Sequence, residues 1–298
     1  MMSEAIPIGR FAPSPSGPLH FGSLVCALAS YLDMKRQGGK WLVRMEDIDP
    51  PREVKGASDH ILKQLEAHGL LWDDEVLYQS SRLDNYAEIV NDLKKQDFAY
   101  NCECSRKRIT ELNGIYDGHC RPLNLSIHGN GTRLHLKPSQ QTIEFTDQII
   151  GHYSQHLDTQ VGDFIVRRRD GLFSYQLAVT VDDHFQGITH IMRGSDLLDS
   201  TPRQIYLQKI LGYSQPQYAH LPVANNEWGQ KLSKQNLAAG LPYGQEAINL
   251  WVALNWLKQS PPNELRQLTI GHILTWAIDH WDQTQVPAKL TLTAPDGF

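Results

Sequence analysis

Arg10-Phe-Ala-Pro-Ser-Pro-Ser-Gly-Pro-Leu-His-Phe-Gly22 is the stretch of this sequence that decides the fold. Ile6 and Ile8 begin an apolar run before it, which predicts a buried strand. The prolines and Gly17 then interrupt regular structure. Beyond Gly22 the apolar residues recur at helical spacing: Leu24, Val25, Leu28, Ala29 and Leu32. The loop therefore delivers the chain to a helix N-terminus, where backbone N–H groups and the helix dipole favour an anion.

Two residues of the loop suggest which anion it binds. Gly22 lets a ligand approach the backbone closely, and the His20 ring is placed to donate to a phosphate oxygen. The plain alternative is a proline-rich connector that happens to contain a histidine, because short motifs match by chance.

A second stretch, Lys231-Leu-Ser-Lys-Gln235, puts two ammonium groups on a loop about two hundred residues later. Together with the first loop it would hold a triphosphate from both sides. The pair predicts that both segments line one cleft.

The two stretches resemble the nucleotide-binding motifs of class I aminoacyl-tRNA synthetases, usually written HIGH and KMSKS. Here they stand as His20-Phe-Gly-Ser23 and Lys231-Leu-Ser-Lys-Gln235. Three longer words narrow the resemblance to glutamyl-tRNA synthetases over about residues 6 to 240: Arg10-Phe-Ala-Pro-Ser-Pro-Ser-Gly, Arg44-Met-Glu-Asp-Ile-Asp49 and Tyr175-Gln-Leu-Ala-Val-Thr-Val-Asp-Asp183.

Strand and helix patterns alternate over residues 6–99 and again over 188–224, which favours an α/β fold. We expect a Rossmann-like, doubly wound parallel sheet with its ligand at the carboxyl edge. The predicted parts are a first catalytic half (1–99), an inserted zinc-binding and acceptor-type subdomain (100–170), a second catalytic half (171–224), and a lysine loop with a short helical end (225–298). Within the insertion, residues 132–137 and 143–150 have β-type patterns.

The last part has helical spacing over 245–258 and 270–282, and a Pro/Gly-punctuated tail over 289–298 that is predicted to be irregular. Four tryptophans in these amphipathic segments are interpreted as core anchors: Trp251, Trp256, Trp276 and Trp281.

Composition excludes several functional classes. A net charge of −5 argues against a nonspecific basic nucleic-acid binder, so an RNA partner must be held by a local patch. The run Arg167, Arg168 and Arg169 is one candidate patch, and a solvated strand end is its plainer explanation. No apolar run approaches the length of a membrane span, and no signal-peptide pattern stands at the N-terminus. We expect a cytoplasmic enzyme with no obligate protein partner.

Only 63 residues follow Gln235, too few for the helical anticodon-binding part of glutamyl-tRNA synthetases. The architecture resembles the truncated glutamyl-queuosine tRNA(Asp) synthetase family. That resemblance implies a ligase that activates glutamate with ATP and attaches it to queuosine in the anticodon loop of tRNA(Asp). Two alternatives are a conventional glutamyl- or glutaminyl-tRNA synthetase whose anticodon part is another chain, and a non-catalytic paralogue that binds glutamate or adenylate.

The resemblance also assigns roles to single residues. Glutamate would be held by Arg10, Ala12, Ser14, Glu46, Tyr175 and Arg193, with Arg10 taking the γ-carboxylate and Glu46 the ammonium. ATP, accompanied by Mg²⁺, would contact His20, Gly22 and Lys234, while Lys231 supports the loop. Each residue has a plainer explanation; Glu46, for example, would cap a helix expected over 51–66.

Departures from the family pattern occur at Ser23, Val179 and Gln235. The first replaces the final His of HIGH, the second is interpreted as replacing a pocket Asn, and the third replaces a Ser.

Three of the four cysteines, Cys102, Cys104 and Cys120, fall within nineteen residues. Clustered thiolates suit tetrahedral zinc, and three reduced cysteines without a metal are the alternative. Ligand chemistry favours His119 as the fourth donor. The family resemblance instead implies Tyr116, and one structural zinc ion per chain.

Overall fold

The computed structural model describes residues 6–127, 130–136, 142–232 and 240–298. Its strands are β1 (Ile8–Phe11), β2 (Lys40–Met45), β3 (Leu77–Tyr78), β4 (Ala99–Cys102), β5 (Gly131–Leu134), β6 (Thr142–Asp147), β7 (Gly151–His156), β8 (Ile165–Arg167), β9 (His190–Gly194), β10 (Gln217–Leu221), β11 (Val223–Asn225) and β12 (Thr291–Thr293).

The helices are α1 (Phe21–Arg36), α2 (Ala57–Ala67), α3 (Leu83–Lys95), α4 (Arg106–Glu111), α5 (Leu157–Gln160), α6 (Tyr175–Phe185), α7 (Thr201–Leu211), α8 (Glu246–Trp256) and α9 (Ile270–His280). The helix predicted after the first loop is present as α1, and its five periodic apolar residues are all buried. The helix expected over 51–66 begins only at Ala57, because Pro50–Arg52 forms a separate 3₁₀ turn.

Five strands form an all-parallel sheet in the order β10-β9-β1-β2-β3. The strand order reverses between β1 and β9, so successive connections run outward from the middle of the sheet in opposite directions. Side chains at the carboxyl ends of these two strands flank a crevice, which is where such sheets bind ligands. The predicted doubly wound fold is confirmed.

Side chains of the sheet alternate between two hydrophobic cores. Trp41, Val43 and Met45 of β2 belong to the core built with α1, α8 and α9, whereas Leu42 belongs to the core built with α3, α6 and α7. The same alternation puts four buried polar residues on the α6 side of the sheet: Arg10, Arg44, Arg193 and His220. The pleat thus collects these basic side chains in one layer.

The segment between the two halves forms two antiparallel units, β4-β5-β8 and the hairpin β6-β7. Phe145 of the hairpin packs on Tyr218 of β10, and the segment shares one hydrophobic core with the α6 side of the sheet. Strand β5 lies largely within the first run that had a β-type pattern, and β6 overlaps the second. The division of the chain at residues 99, 170 and 224 stays a prediction.

Beyond residue 240 the two expected helices are present as α8 and α9. Trp256 and Trp281 are buried in the core, and Trp251 and Trp276 pack at its margin. The prediction of an irregular tail is wrong for residues 291–293, which form β12 in parallel with the edge of β11. Among the helices of the described residues, none combines the length and apolarity needed to cross a membrane.

Candidate functional site

A cleft of about 700 Å³ lies at the carboxyl ends of β1 and β9. It is lined by nine of the residues nominated from sequence for glutamate and ATP: Arg10, Ala12, Ser14, His20, Gly22, Glu46, Tyr175, Arg193 and Lys231. The opening loop and the start of the lysine loop therefore face the same space. Lys234 and Gln235 lie outside the described residues.

The opening loop ends in a helix cap. His20 stands at the N-cap of α1, and its Nδ1 accepts from the backbone N–H of Ser23 at 3.4 Å. A Cβ on Gly22 would come within 3.3 Å of this imidazole, closer than ordinary contacts. Gly22 therefore leaves room for the His20 ring beside the N-terminus of α1.

Lys231 is tied to the opposite wall of the cleft. Its Nζ lies 2.5 Å from Oδ2 of Asp196, which follows the end of β9 at Gly194. The backbone of Asn225 bridges to Lys231, and Leu232 donates its N–H to the carbonyl of Ala224. The lysine loop thus begins next to β11, beside the crevice.

A buried charge layer forms the floor of the cleft. The carboxylate of Asp183 on α6 accepts from Nε of Arg10 at 3.0 Å and from Nη2 of Arg44 at 2.8 Å. Burial opposes ionisation of Asp183, but the two guanidinium groups outweigh it, and the pKa of this carboxyl is lowered. Asp183 was not predicted as a site residue, although an acidic residue inside an apolar helix was a signal that could have found it.

Glu46 follows the end of β2 and reaches into the same layer. Its nearest cation among the described residues is Arg44, with Nη2 at 3.7 Å from Oε1, and that nitrogen is already engaged by Asp183. Oε1 of Glu46 is buried and has no hydrogen-bond partner in the part of the chain that the structure describes. Burial raises the pKa of Glu46 to about 7, against the attraction of Arg44 and Arg10.

The plainer explanation of Glu46 as a helix cap does not hold. Helix α2 begins at Ala57, and Gly56 is its N-cap residue. The neighbouring carboxylate, Asp47, accepts from the backbone N–H and hydroxyl of Ser80 at 2.9 and 2.6 Å, on a different segment. Glu46 is left lining the cleft.

Arg193, near the end of β9, is 5% exposed and is held by neutral groups. Its Nη2 donates to Thr201 Oγ1 at 2.7 Å and to Gln204 Oε1 at 2.8 Å, and its Nη1 donates to the Tyr175 hydroxyl at 3.4 Å. Within the described ranges no carboxylate forms an ion pair with Arg193. A buried cation of this kind is stabilised by an anionic ligand.

The net charge of this layer matches a dicarboxylic amino acid. The guanidinium groups of Arg10, Arg44 and Arg193 face the carboxylates of Glu46 and Asp183, which gives three positive and two negative charges when both acids are ionised. Glutamate carries two carboxylates and one ammonium, so its single net negative charge would neutralise the layer.

A second cavity, also of about 700 Å³, opens beside the first, and the two share five lining residues: Ser14, Ser16, Glu46, Arg52 and Tyr175. Three arginines line it, Arg52, Arg106 and Arg168, together with the carboxylates of Asp49 and Glu53. Arg168 is held by Asp49 at 3.4 Å and Asp170 at 2.6 Å. The second cavity therefore continues the floor of the first along a lining of both arginines and carboxylates.

Some residues singled out in the sequence lie away from these cavities. Val179 is fully buried on α6 and is not among the residues that line the cleft, so the departure at this position does not alter the cleft wall directly. Arg167 and Arg169 donate to the backbone carbonyls of Gly171 and Glu103 at 3.4 and 3.2 Å, at the margin of the insertion.

The three clustered cysteines come together at a separate place in the insertion. The Sγ atoms of Cys102, Cys104 and Cys120 all lie within 4.8 Å of one another, and those of Cys104 and Cys120 are 3.4 Å apart. Tetrahedral zinc–sulfur bonds of about 2.3 Å require sulfur–sulfur separations of about 3.8 Å. The thiols are reduced and two of them are buried, so the donor set fits one zinc ion.

Tyr116 adjoins this cluster, whereas His119 is exposed and its ring is not part of the group of close donor atoms. The Tyr116 hydroxyl lies 3.6 Å from Sγ of Cys102 and 3.5 Å from Sγ of Cys104. It also accepts the backbone N–H of Cys120 at 2.9 Å. This arrangement favours Tyr116 over His119 as the fourth donor.

Arg133 supports the cluster from behind. Its Nε lies 3.2 Å from Sγ of Cys102, and its guanidinium sits 4.0 Å from the centre of the Tyr116 ring. A cation in this position stabilises a negatively charged set of thiolate and phenolate donors.

The architecture and the cleft together define a synthetase, and the family comparison agrees. Residues 8–242 match the model of the class I tRNA synthetases (E and Q), catalytic domain, and the chain belongs to this family. It is therefore a ligase of the aminoacyl-tRNA synthetase class, for which ATP and Mg²⁺ are the expected nucleotide and ion.

Curated relatives narrow the similarity within that family. The chain is 50% identical over 285 residues to the glutamyl-Q tRNA(Asp) synthetase of Pseudomonas fluorescens, and the match covers 96% of this chain and 95% of the relative. It is 50% identical over 288 residues to the protein of the same name from Serratia proteamaculans, covering 97% and 94%.

Solved structures give the same fold. The glutamate-tRNA synthetase of Elizabethkingia anophelis superposes with a TM-score of 0.80 at 25% identity, over 98% of this chain and 68% of that one. A glutamate tRNA ligase from Elizabethkingia meningosepticum, solved in complex with its amino acid, gives the same TM-score and identity over 67% of its length.

Proposed function

We propose that this chain activates glutamate with ATP and transfers the glutamyl group to queuosine in the anticodon loop of tRNA(Asp). The charge layer of the cleft carries the proposal, because among the described residues Arg193 has no ionic partner and Oε1 of Glu46 has no hydrogen bond. The names of the curated relatives support the choice of acceptor.

Glutamate fits the cleft as a bridge between these two groups. Glu46 receives the ammonium, while Arg193 and the Tyr175 hydroxyl receive a carboxylate, with Arg10 on the same floor. Ala12 and Ser14 of the opening loop line the same cleft. Ammonium binding ionises Glu46 because a cation beside a buried carboxylate lowers its pKa.

ATP fits beside glutamate, along the N-terminus of α1. The glutamate α-carboxylate oxygen attacks the α-phosphorus, the bond to the bridging oxygen of the β-phosphate breaks, and pyrophosphate leaves. His20 and the α1 backbone at Gly22 stabilise phosphate charge, and Lys234 adds an ammonium from the lysine loop. Lys231, anchored on Asp196, holds that loop at the crevice. Mg²⁺ arrives with ATP.

The acceptor fits the second cavity. A hydroxyl of the queuosine cyclopentenediol attacks the carbonyl of the adenylate, and AMP leaves with the electron pair of the broken bond. Asp49 and Glu53 also line this cavity, and its three arginines would meet the phosphates of an anticodon loop that enters from this side. A local patch of this kind suits a chain with a net charge of −5.

Zinc, held by Cys102, Cys104, Cys120 and Tyr116, would close a four-coordinate site and stabilise the insertion. Four protein donors leave no coordination position for a substrate, so its role is structural.

The proposal is tested with radiolabelled glutamate, ATP and tRNA from matched strains with and without queuosine. We expect glutamate-dependent pyrophosphate exchange, and label only on the queuosine-containing tRNA. Label on both tRNAs would favour charging of the 3′ end, and absence of exchange would favour a non-catalytic paralogue. Lys234→Ala should lower adenylate formation far more than glutamate affinity.

A further inference from the structure

Behind Arg193 lies a chain of buried polar side chains that the proposed chemistry does not use. Oδ2 of Asp147, at the end of β6, lies 2.6 Å from Nδ1 of His220. Nε2 of His220 lies 3.2 Å from Nε of Arg193. Asp147, His220 and Arg193 are 2%, 0% and 5% exposed, so water does not substitute for these contacts.

The order of donors in this chain is fixed by Arg193. A guanidinium Nε–H only donates, so Nε2 of His220 must accept, and the imidazole proton must reside on Nδ1. Nδ1–H then donates to the carboxylate of Asp147. Oγ1 of Thr201 lies 3.1 Å from the same Nε2 and 3.3 Å from the carbonyl oxygen of Leu197. Its single proton can point to either acceptor, and pointing to Nε2 is compatible with the assignment. Burial lowers the pKa of His220, which keeps the ring neutral and able to accept.

Asp147 is itself held rigidly. Its Oδ1 accepts three backbone N–H groups, from Ile149 at 3.0 Å, Ile150 at 2.9 Å and His220 at 3.1 Å. Its Oδ2 is directed at the imidazole. The carboxylate therefore selects one histidine tautomer, and the tautomer selects one orientation of Arg193.

We propose that Asp147 and His220 are positioning residues for glutamate, acting through Arg193. The inference rests on the proposed assignment of Arg193 to a glutamate carboxylate. Because Asp147 belongs to the β6–β7 hairpin, it also means that the inserted segment sets the geometry of the amino-acid pocket.

Asp147→Asn tests the hydrogen-bonded series from Asp147 through His220 to Arg193 directly. The three backbone N–H groups hold the amide oxygen of the new residue, so its NH₂ group faces Nδ1 of His220. The imidazole proton must then move to Nε2. There it points at the Nε–H of Arg193, and the hydrogen bond between these two nitrogens is lost. In pyrophosphate exchange we expect the KM for glutamate to rise about 10- to 100-fold, with kcat within about threefold and the KM for ATP within about twofold.

Asp163→Asn is the matched control. Asp163 is an equally buried carboxylate of the insertion, 1% exposed, and it pairs with Arg121 at 2.7 Å rather than with the chain behind Arg193. Loss of the Asp163 charge should lower the melting temperature and leave the KM for glutamate unchanged. An equal rise of that KM in both variants would overturn the inference, because it would show a general effect of destabilising the insertion.

Nitrogen-15 NMR of the imidazoles gives a readout that a purely structural role would not move. In the native protein we expect His220, assigned with the His220→Gln variant, to be protonated on Nδ1; in Asp147→Asn it should be protonated on Nε2. In His220→Gln the glutamine oxygen accepts from Arg193 and needs no carboxylate to fix a tautomer. The double variant Asp147→Asn/His220→Gln should therefore have a KM for glutamate within about twofold of that of His220→Gln alone.

A native His220 protonated on Nε2 overturns the inference, and that measurement does not depend on any variant folding. Unchanged glutamate binding in a folded Asp147→Asn protein overturns it as well. Absence of glutamate-dependent exchange in the native protein would instead refute the proposed function.

Discussion

Glu46→Gln should make the unliganded protein more stable at alkaline pH while weakening glutamate binding. Burial raises the pKa of Glu46 from its ordinary 4.5 to about 7. Between these values the folded state binds more protons than the unfolded state. Stability contributed by protonated Glu46 is therefore fully present below 4.5 and is lost as the pH rises through about 7. Glutamine has the same shape and no such dependence.

The magnitude follows from the two pKa values. At about 1.36 kcal/mol per pKa unit, ionised Glu46 costs the empty protein about 3 kcal/mol at roughly pH 8, and less than about 1 kcal/mol at roughly pH 5. For a chain of this size we expect the variant to melt roughly 6 °C above the native protein at the higher pH and within about 2 °C of it at the lower.

The affinity for glutamate should fall in Glu46→Gln, whereas its stability without ligand rises. The native carboxylate gains an ammonium partner that the amide cannot replace as a charge, so the KM for glutamate should rise about 10- to 100-fold in the variant. Saturating glutamate should raise the melting temperature of the native protein and have little effect on the variant.

The assay is thermal unfolding at about pH 5 and about pH 8, with and without glutamate, combined with pyrophosphate exchange. Glu66→Gln, on an exposed position of α2, makes the same change of side chain away from the cleft and should shift neither quantity. A Glu46→Gln protein that melts below the native protein at the higher pH, or that binds glutamate normally, would refute the reasoning.

The site supports three further tests. In the native protein the KM for glutamate should rise as the pH falls below about 7, approaching tenfold per unit, because protonated Glu46 cannot receive an ammonium; a flat profile would oppose this. Tyr116→Phe should lose zinc to a chelator faster than the native protein and His119→Ala should not, as followed by a colorimetric zinc assay; the reverse order would make His119 the donor. Gly22→Ala should lower kcat for exchange about tenfold by displacing His20, with the KM for glutamate unchanged; a normal kcat would show that the ring tolerates the methyl group.

Much of the site was predictable because its parts are local in sequence. The strand–loop–helix around His20 needs only apolar spacing, prolines and a glycine, and the three cysteines lie within nineteen residues. Local signals also have limits. Pro287 and Pro295 flank residues 291–293, yet these form β12 because the edge of β11 is available. Tyr116 and His119 are three residues apart, and only the fold buries one beside the cysteines and exposes the other.

The sequence by itself determined the class of fold, the two motifs and the kinds of side chain that bind an amino acid and a nucleotide. The tertiary structure decided how each arginine of the cleft is paired. Arg10 and Arg44 are engaged by Asp183, whereas Arg193 meets neutral groups and His220. Arg10 and Asp183 stand 173 residues apart in the chain, and strand order and pleat bring them together. No local pattern records a contact of that kind, because spacing along the chain fixes neighbours only within one helix or strand.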